Sequence, residues 1–145
     1  MADGKTYGIG FPFMDSREGK FLELTQTSDE EIRTDLLHLI LTRKGTRYFL
    51  PNFGTRLYEY IFEPMDGPTF SDIQAEIKDA VDEYMPGITI TEISIKPASE
   101  DDPVNENNIY QVPGMETLEH TAKIRIDYSI NDSAFSSSDF VIINI

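Results

Sequence analysis

The chain has no cysteine and no tryptophan, and only two histidines occur among its 145 residues. Without cysteine it has neither disulfides nor a zinc site built on thiolates. No apolar run approaches the roughly 18 residues that span a membrane, and the N-terminus lacks the apolar stretch of a signal peptide. The sequence therefore predicts a soluble protein, without a membrane partner, that is used where it is made.

Basic residues are also scarce, and the shortage is confined to one part of the chain. Residues 1–56 hold eight acidic and eight basic side chains, whereas residues 57–145 hold eighteen acidic and four basic ones. The formal net charge of −14 therefore arises entirely in the second part. A surface that binds phosphate needs the opposite sign, so we predict no nucleic acid partner. The acidic excess either provides solubility or forms a face that attracts a basic partner.

Motifs of catalysis are few. His38 and His120 lie in unrelated elements without metal-ligand spacing, and serines 136–138 lack the turn motif of a nucleophilic serine. Glu59 and Glu63 share a helix face, and a glycosidase uses two carboxylates about 5–10 Å apart. With 26 acidic residues, however, such pairs arise often by chance. We predict no enzyme activity and no catalytic, cofactor or metal site, with a small muramidase-like cell-wall hydrolase as the alternative.

Apolar periodicity predicts three helices, at about residues 28–42, 55–62 and 69–85. In the first, Ser28 with Glu31 matches a capping box, and the wide apolar stripe predicts cover on more than one side. The second carries its apolar side chains, Phe62 among them, on one side. The third has one apolar face and, on another face, a row of carboxylates that is either solvated or binds a partner: Asp72, Glu76, Asp79 and Glu83.

The second half of the chain shows the alternation of strands. Its isoleucines between residues 88 and 95 change phase halfway, which predicts a β-bulge near Thr91-Glu92. Residues 120–130 alternate between apolar and polar, as in a strand with one buried face. Residues 97–117 are polar and contain three prolines, which predicts a long exposed excursion. Earlier in the chain, Phe21–Leu24 is a short strand candidate.

The chain ends on a segment of strong β propensity, although termini are usually polar and frayed. Its apolar residues occur at both parities, so neither face suits water. We interpret it as a central strand of the protein's own sheet, as a strand in a sheet that also pairs with another chain, or as both. The apolar residues of this segment, which we predict to bind a partner, are Phe140, Val141, Ile142, Ile143 and Ile145.

Together these elements predict an α+β fold, with about three helices packed on a mainly antiparallel sheet of about four strands. Residues 1–20 are expected to form an N-terminal arm or lead-in. Residues 21–145 are expected to form a single α+β domain that contains the excursion at 97–117.

The most informative stretch lies between residues 41 and 64. Gly45 is placed to end the first helix in the left-handed conformation, Thr55 to cap the second and Pro64 to stop it. The stretch resembles the baseplate wedge proteins of contractile-tailed bacteriophages, called sheath initiators, which have relatives in type VI secretion baseplates. Thr46 stands where that family usually has glutamate. The matching positions are Thr42, Gly45, Arg47, Pro51, Phe53, Gly54, Thr55, Leu57, Phe62 and Pro64.

The resemblance implies a small α+β domain similar to the handshake domain of tail sheath proteins. It implies a structural role in the virion, in several copies per tail baseplate, with the tail sheath protein and other wedge subunits as partners. Extended arms of the sheath would add strands to its sheet. The family's Glu-Pro-Arg motif, which the resemblance implies binds other wedge subunits, falls on Met85, Pro86 and Gly87, where only the proline matches; we predict these three residues to bind a partner. The family has also carried a lysozyme-like label, which is the source of the muramidase alternative.

Overall fold

The computed structural model describes residues 6–11, 14–15, 21–60, 62–64, 66–97, 109–111, 122–131 and 137–144. Contacts within the chain separate it into two compact units, Met1–Thr55 and Arg56–Ile145. Three features that the sequence singled out lie outside the described residues: His120, Ile145 and most of the excursion at 97–117.

The first unit is built on helix α1, Ser28–Leu41. Its N-cap is Thr27, whose hydroxyl accepts from the Glu30 amide while the Glu30 carboxylate accepts from the Thr27 amide. The capping box is therefore one residue earlier than the predicted pair of Ser28 and Glu31. The apolar side is wide, as predicted. Four leucine and isoleucine side chains near the end of the helix are almost fully buried: Leu36, Leu37, Leu39 and Ile40.

Glu31 has a different task, which joins α1 to the segment before it. It accepts a hydrogen bond of 2.5 Å from the hydroxyl of Thr25, and that hydroxyl accepts from the Gly8 amide at 2.9 Å. Residues 7–10 also bond to the backbone of residues 23–25, with an antiparallel bridge between Ile9 and Leu24. The described part of the N-terminal segment is thus paired. The predicted strand at Phe21–Leu24 is reduced to this bridge.

The second unit opens with two helices, α2 at Leu57–Tyr60 and α3 at Gly67–Tyr84. Helix α2 is shorter than predicted, and Phe62 lies beyond it with 92% of its surface exposed, so its expected place on an apolar face is wrong. Helix α3 begins at the N-cap Asp66, whose carboxylate accepts from the amide and hydroxyl of Thr69. Its apolar face is buried as predicted: Ile73, Ile77, Ala80 and Val81.

Four strands complete this unit: β1 at Ile88–Pro97, β2 at Ile109–Gln111, β3 at Ala122–Ile130 and β4 at Ser137–Asn144. They form one sheet in the order β1-β3-β4-β2. The pairs β1–β3 and β3–β4 are antiparallel, and the short β2 runs parallel to β4. The predicted α+β class and mainly antiparallel sheet are confirmed. The strand β2 lies inside the segment that was predicted to be an exposed excursion.

The two faces of the sheet differ sharply. On β3 the even-numbered side chains from Ala122 to Ile130 are buried, and the odd-numbered ones are polar. Strand β1 pairs Ile90 with Tyr128 and then Glu92 with Asp127, so Thr91 is an extra residue without a partner in the ladder. This is the predicted bulge. It keeps the isoleucines on both sides of it opposite the buried row of β3, and α3 packs against β1.

Candidate interaction surfaces

The connection after α1 is held by its own backbone. The amide of Thr55 donates to the Thr42 carbonyl at 2.9 Å, and the amide of Lys44 donates to the Thr55 carbonyl at 3.0 Å. The hydroxyl of Thr55, 1% exposed, donates to the carbonyl of Ile40 at 2.6 Å. This hydrogen bond ties residue 55 back to the end of α1. The prediction that Thr55 caps α2 is therefore wrong.

Two glycines allow this connection. Gly54 has a φ of +114°, and a Cβ at that position would overlap the carbonyl oxygen of Thr42. Gly45 has a φ of +91° but no heavy atom within 4 Å of its Cβ position. Gly45 lies in the turn that follows α1, because the helix ends at Leu41 with Thr42 as its extended C-cap. The left-handed conformation predicted for Gly45 is present, but it does not end the helix.

The tip of the same connection presents apolar side chains to solvent. Tyr48 and Phe49 are 91% and 88% exposed and touch edge to face, with ring centroids 5.1 Å apart. Leu50 beside them is also exposed. The guanidinium of Arg47 lies 4.5 Å from the centre of the Phe53 ring. The sequence analysis identified this loop from its glycine, threonine and proline residues. It did not predict that the aromatic side chains at the tip are exposed.

The acidic row of α3 is exposed at Asp72, Asp79 and Glu83. Glu76 differs, because its carboxylate is half-buried and accepts from the Arg56 amide at 3.2 Å, just before α2. Burial first, and then the nearby carboxylates, raise the pKa of Tyr60. The row thus consists of three exposed carboxylates and of Glu76, which is bound to the backbone. The carboxylates around Tyr60 also make the potential there negative.

Glu59 and Glu63, the pair that a muramidase would need, belong to that region. The carboxylates that raise the Tyr60 pKa are Asp72, Glu76, Glu63 and Glu59. Both Glu59 and Glu63 are exposed to solvent. A general acid of a glycosidase works from an enclosed apolar site, which the exposed positions of Glu59 and Glu63 do not provide.

The turn Met85–Gly87 joins α3 to β1. Met85 is the C-cap of α3, with its amide donating to the Val81 carbonyl at 2.8 Å. The Gly87 carbonyl accepts from the amide of Asn131 at 3.0 Å, which fixes the turn beside the end of β3. Pro86 and Gly87 are exposed and Met85 is half-buried. The turn is thus an accessible corner of the unit that is hydrogen-bonded to the residue after β3.

The C-terminal strand β4 is an internal strand for part of its length. Along one side it pairs with β3 from Ser137 to Asn144. Along the other side, within the described part of the chain, β2 pairs only with residues 142–144. Val141 and Ile143 are completely buried, and Ile142, at the opposite parity, is 7% exposed. Phe140 is half-buried.

The polar face of the sheet has a basic pocket that sequence reasoning missed. The register places Lys96 opposite Lys123, and Ser94 opposite Arg125, which is itself opposite Ile142. These five side chains line a pocket of about 150 Å³. The alternation of polar and apolar residues in the sequence already places two pairs of side chains on the polar face: Ser94 with Lys96 on β1, and Lys123 with Arg125 on β3. Only the register brings the two pairs together.

Arg125 is held at one side of this pocket. It forms an ion pair of 2.9 Å with Asp127, and its guanidinium lies 4.5 Å from the centre of the Phe140 ring. The hydrogen bonds to Asp127 raise the pKa of Arg125. Its charge is therefore fixed in place and partly neutralised by Asp127.

Two further observations concern the described residues only. Among them, no cluster of three or more histidine, aspartate or glutamate side chains is arranged to hold a metal ion. None of the helices in that part of the chain is both long and apolar enough to cross a membrane.

Solved structures define the class of fold. A putative tail lysozyme from Geobacter sulfurreducens superposes with a TM-score of 0.63 at 18% identity, over 85% of this chain and 94% of that one. A chain of the anti-feeding prophage (AFP) baseplate superposes with a TM-score of 0.55 at 15% identity, over 93% of this chain and 82% of that one. The fold is therefore one that occurs in a putative tail lysozyme and in a chain of a baseplate.

The sequence narrows this class to one family. The model of the family described as baseplate wedge protein gp25 matches residues 26–134, which is most of the chain, and the chain belongs to that family. The baseplate wedge protein gp25 of Enterobacteria phage T4 is 37% identical over 70 residues, which cover 48% of this chain and 53% of that relative. The alignment thus spans about half the length of that relative. The family resemblance noted from the sequence is confirmed.

Proposed function

We propose that this protein is a structural component of the baseplate wedge of a contractile phage tail and that it nucleates the tail sheath by accepting strands into its sheet. The observation that carries the proposal is the unequal pairing of β4. One side is bonded to β3 along the whole strand, whereas the described chain pairs the other side only at residues 142–144. We propose that a strand of a neighbouring subunit pairs with β4 beside residues 137–141.

The energetics suit an assembly joint. Each added backbone hydrogen bond contributes only about 1 kcal/mol net, so one short strand makes a weak contact. Repetition around a ring of several copies strengthens it through multivalency. The half-buried Phe140 leaves apolar surface on one face of β4 that a side chain of an added strand could cover, whereas Val141 on the other face is already buried.

The other edge of the sheet is a poorer acceptor. The side-chain amide of Gln74, on α3, donates to the main-chain carbonyl of Ile93 in β1 at 2.8 Å. This bond occupies one carbonyl of β1, and protection of this kind is a usual way of preventing unwanted pairing at a sheet edge. We therefore assign strand addition to the β4 side.

Contacts with other wedge subunits are proposed at two further places. The exposed carboxylates of α3, Asp72, Asp79 and Glu83, would attract a basic surface over a distance set by salt. The turn Met85–Gly87 occupies the place of the family's Glu-Pro-Arg motif without its two charged residues. A contact there would rest on shape and on apolar surface.

The role is proposed to be structural and not enzymatic. The similarity to a putative tail lysozyme at 18% identity concerns the fold alone. Glu59 and Glu63 are exposed to solvent and do not line an enclosed apolar site. Purified protein should therefore leave peptidoglycan intact, and hydrolysis that is lost in both Glu59→Gln and Glu63→Gln would contradict a purely structural role.

A matched pair of proline variants tests strand addition. Ser137 and Ser138 are adjacent, both exposed and both paired with β3, and successive amides of a strand point to opposite sides. Ser137→Pro and Ser138→Pro therefore each remove one donor, from different sides of β4. We expect one variant to lower the melting temperature and the other to stay folded but to nucleate fewer sheaths, counted by electron microscopy with purified sheath protein.

Ser137→Ala and Ser138→Ala are the controls, because they remove the hydroxyl and keep the amide. Both should fold and nucleate normally. If both proline variants fold and nucleate sheaths as the unmodified protein does, strand addition beside residues 137–141 is wrong, although membership of the wedge family is untouched.

A further inference from the structure

The tip of the connection after α1 displays two adjacent aromatic rings that have almost no cover. Tyr48 is 91% exposed and Phe49 is 88% exposed, and Leu50 next to them is 47% exposed. Such rings stabilise cores and interfaces strongly when they are covered, and neither ring contributes to a core here. Aromatic residues are also enriched among the few residues that dominate binding between proteins. Three consecutive exposed apolar residues therefore indicate a contact with another molecule.

Hydrogen bonds close the loop that presents the two rings. The amide of Gly45 donates to the Pro51 carbonyl at 2.7 Å, which closes residues 45–51 into one loop. The hydroxyl of Thr46 donates to the Arg43 carbonyl, also at 2.7 Å. A loop that is already closed loses less conformational entropy on binding than an open one. The two rings are therefore presented in a form suited to anchoring a partner.

The segment that carries the tip differs in charge from the whole chain. Among the first 56 residues all eight acidic ones lie before residue 36, and residues 36–55 contain only basic charges, Arg43, Lys44 and Arg47. Arg43 and Lys44 also interact within the chain, so we assign only Arg47 to a partner. Arg47 is exposed, with its guanidinium against the Phe53 ring. Stacking uses the flat face of a guanidinium and keeps N–H donors at its edge, where a carboxylate binds.

We propose that residues 48–50 anchor this protein in an apolar pocket of another baseplate wedge subunit, and that Arg47 binds a carboxylate at the border of that pocket. The inference rests on the proposed function, in which the chain is part of the wedge. It adds a contact in the first unit to those proposed for α3 and for the turn Met85–Gly87. Two aromatic rings bury about 300–500 Å² together. A stable interface buries roughly 800 Å² on each partner, so the tip is one contact among several.

Other partners fit the tip less well. Contact between the tips of two copies would bury at most about 1,000 Å² in total, which is below the roughly 1,200 Å² of a specific pair. Each copy also has a net charge of −14, which opposes self-association. The same net charge opposes binding to the phosphates of nucleic acid and to anionic lipids. A protein surface that is apolar with an acidic border matches the tip in both polarity and charge.

Removal of both rings tests the contact in assembled baseplates. The double variant Tyr48→Ser with Phe49→Ser changes only exposed side chains, so its melting temperature should stay close to that of the unmodified protein. Baseplates purified from the phage that encodes it should contain at least about tenfold fewer copies of this variant, counted by quantitative mass spectrometry. The double variant Tyr48→Phe with Phe49→Tyr keeps both rings and should be incorporated normally. Phe21→Ser, at a position 90% exposed in the same unit, is the control and should also be incorporated normally.

Photo-crosslinking identifies what covers the tip. With p-benzoylphenylalanine at position 48 or 49, illumination of purified baseplates should link this chain to one wedge subunit, at a peptide that contains apolar and acidic residues. The same label at position 21 should not give this link.

A charge reversal tests the carboxylate at the border of the pocket. Arg47→Glu should lower incorporation about tenfold, because it would face that carboxylate with a like charge. Lys96→Glu makes the same change of charge on β1 and should alter incorporation less than twofold.

The outcomes separate this inference from the proposed function. Normal incorporation of the double serine variant would overturn the inference alone, whereas absence of the unmodified chain from baseplates would refute both. Chains that are incorporated but nucleate no sheath would contradict strand addition and leave the tip contact intact. Cross-links to a second copy, to lipid or to nucleic acid would assign the tip to that partner instead. Equal incorporation of Arg47→Glu and Lys96→Glu would contradict the acidic border.

Discussion

At the scale of single residues, the connection that follows α1 depends on the absence of one side chain. The backbone of residues 54 and 55 lies directly on residues 42 and 43, where Thr55 bonds to Thr42 and forms a parallel bridge with Arg43. Gly54 meets two conditions there, a positive φ and a place without room for Cβ. Gly45 meets only the first. A comparison of the two glycines therefore separates two contributions to stability: the cost of a side chain at positive φ, and the cost of steric overlap between a Cβ and the Thr42 carbonyl.

Alanine substitutions measure these two costs. Gly45→Ala should lower the free energy of unfolding by about 1–3 kcal/mol, the cost of a left-handed backbone with a side chain. Gly54→Ala should cost clearly more, because Thr42 and Arg43 must also move. Gly87→Ala, where no heavy atom lies within 4 Å of the Cβ position, is the control and should be close to neutral. Chemical denaturation checks the series, and equal losses at Gly45 and Gly54 would contradict the overlap.

Asp35 on α1 makes stability depend on pH. Asp35 lies on the exposed side of α1, where partial desolvation first, and then the Glu31 carboxylate, raise its pKa, which His38 partly opposes. A carboxyl group with a raised folded-state pKa binds its proton more tightly in the fold. Its stabilising contribution is thus complete below about pH 3.9, the unfolded value, and is lost as the pH rises through the folded value. The charge of Asp35 is therefore unfavourable to folding at neutral pH.

Asp35→Asn should consequently raise the melting temperature at pH 7, and the gain should disappear on acidification to about pH 3.9. Asp29→Asn is the control in the same helix. Asp29 lies in the first turn of α1, where a negative charge is stabilising by about 0.3–1 kcal/mol, so its loss should lower stability at pH 7. A destabilised Asp35→Asn at pH 7 would show that the Asp35 charge is favourable in the fold.

At the scale of elements, apolar periodicity predicted the helices and the bulge correctly. The ends of the elements were harder to predict, because the capping residues had alternative hydrogen-bond partners. Thr27 with Glu30 and Ser28 with Glu31 both fit a capping box, and the second pair lost because Glu31 binds Thr25 instead. Thr55 had the residue type of a cap but found a buried carbonyl, that of Ile40. The local pattern cannot decide such cases, because the partner lies outside the capping motif, as Thr25 does for Glu31 and Ile40 does for Thr55.

The bulge in β1 gives the sharpest test at this scale. Removing Thr91 would leave Ile90, Glu92 and Ile93 in ordinary alternation, with every isoleucine of the strand still on the buried face. We expect this deletion to fold, with the local twist reduced and stability changed by about 1 kcal/mol, as is typical of a single change. Deletion of Ser94 shortens the strand equally but reverses the faces on one side of the cut. It should unfold the protein, since each misplaced isoleucine loses about 1.5–3 kcal/mol of burial.

Circular dichroism and thermal melts distinguish the two deletions. Failure of both would mean that the bulge itself is indispensable, as a source of twist or as a contact. Survival of both would mean that the register of β1 is not set by its apolar face.

At the scale of the whole molecule, the surfaces differ in charge and in strand pairing: α3 displays carboxylates, the polar face of the sheet has a basic pocket, and β4 is only partly paired on one side. The excess of negative charge was evident from composition, and its display on α3 was predicted from helical spacing. The basic pocket was not, because Lys96 and Lys123 meet only through a register that depends on the bulge and on a connection of more than twenty residues. The position of β4 was likewise open, since its apolar sequence suits both an internal strand and an edge.

The most direct test of the account is a cryo-electron microscopy map of an assembled tail that contains this protein. The account predicts that the chain lies in the baseplate beside the first sheath ring, with a strand of a neighbouring subunit hydrogen-bonded to β4 along residues 137–141. A map in which the chain is distant from the sheath, or in which no strand of another subunit pairs with β4, would contradict it.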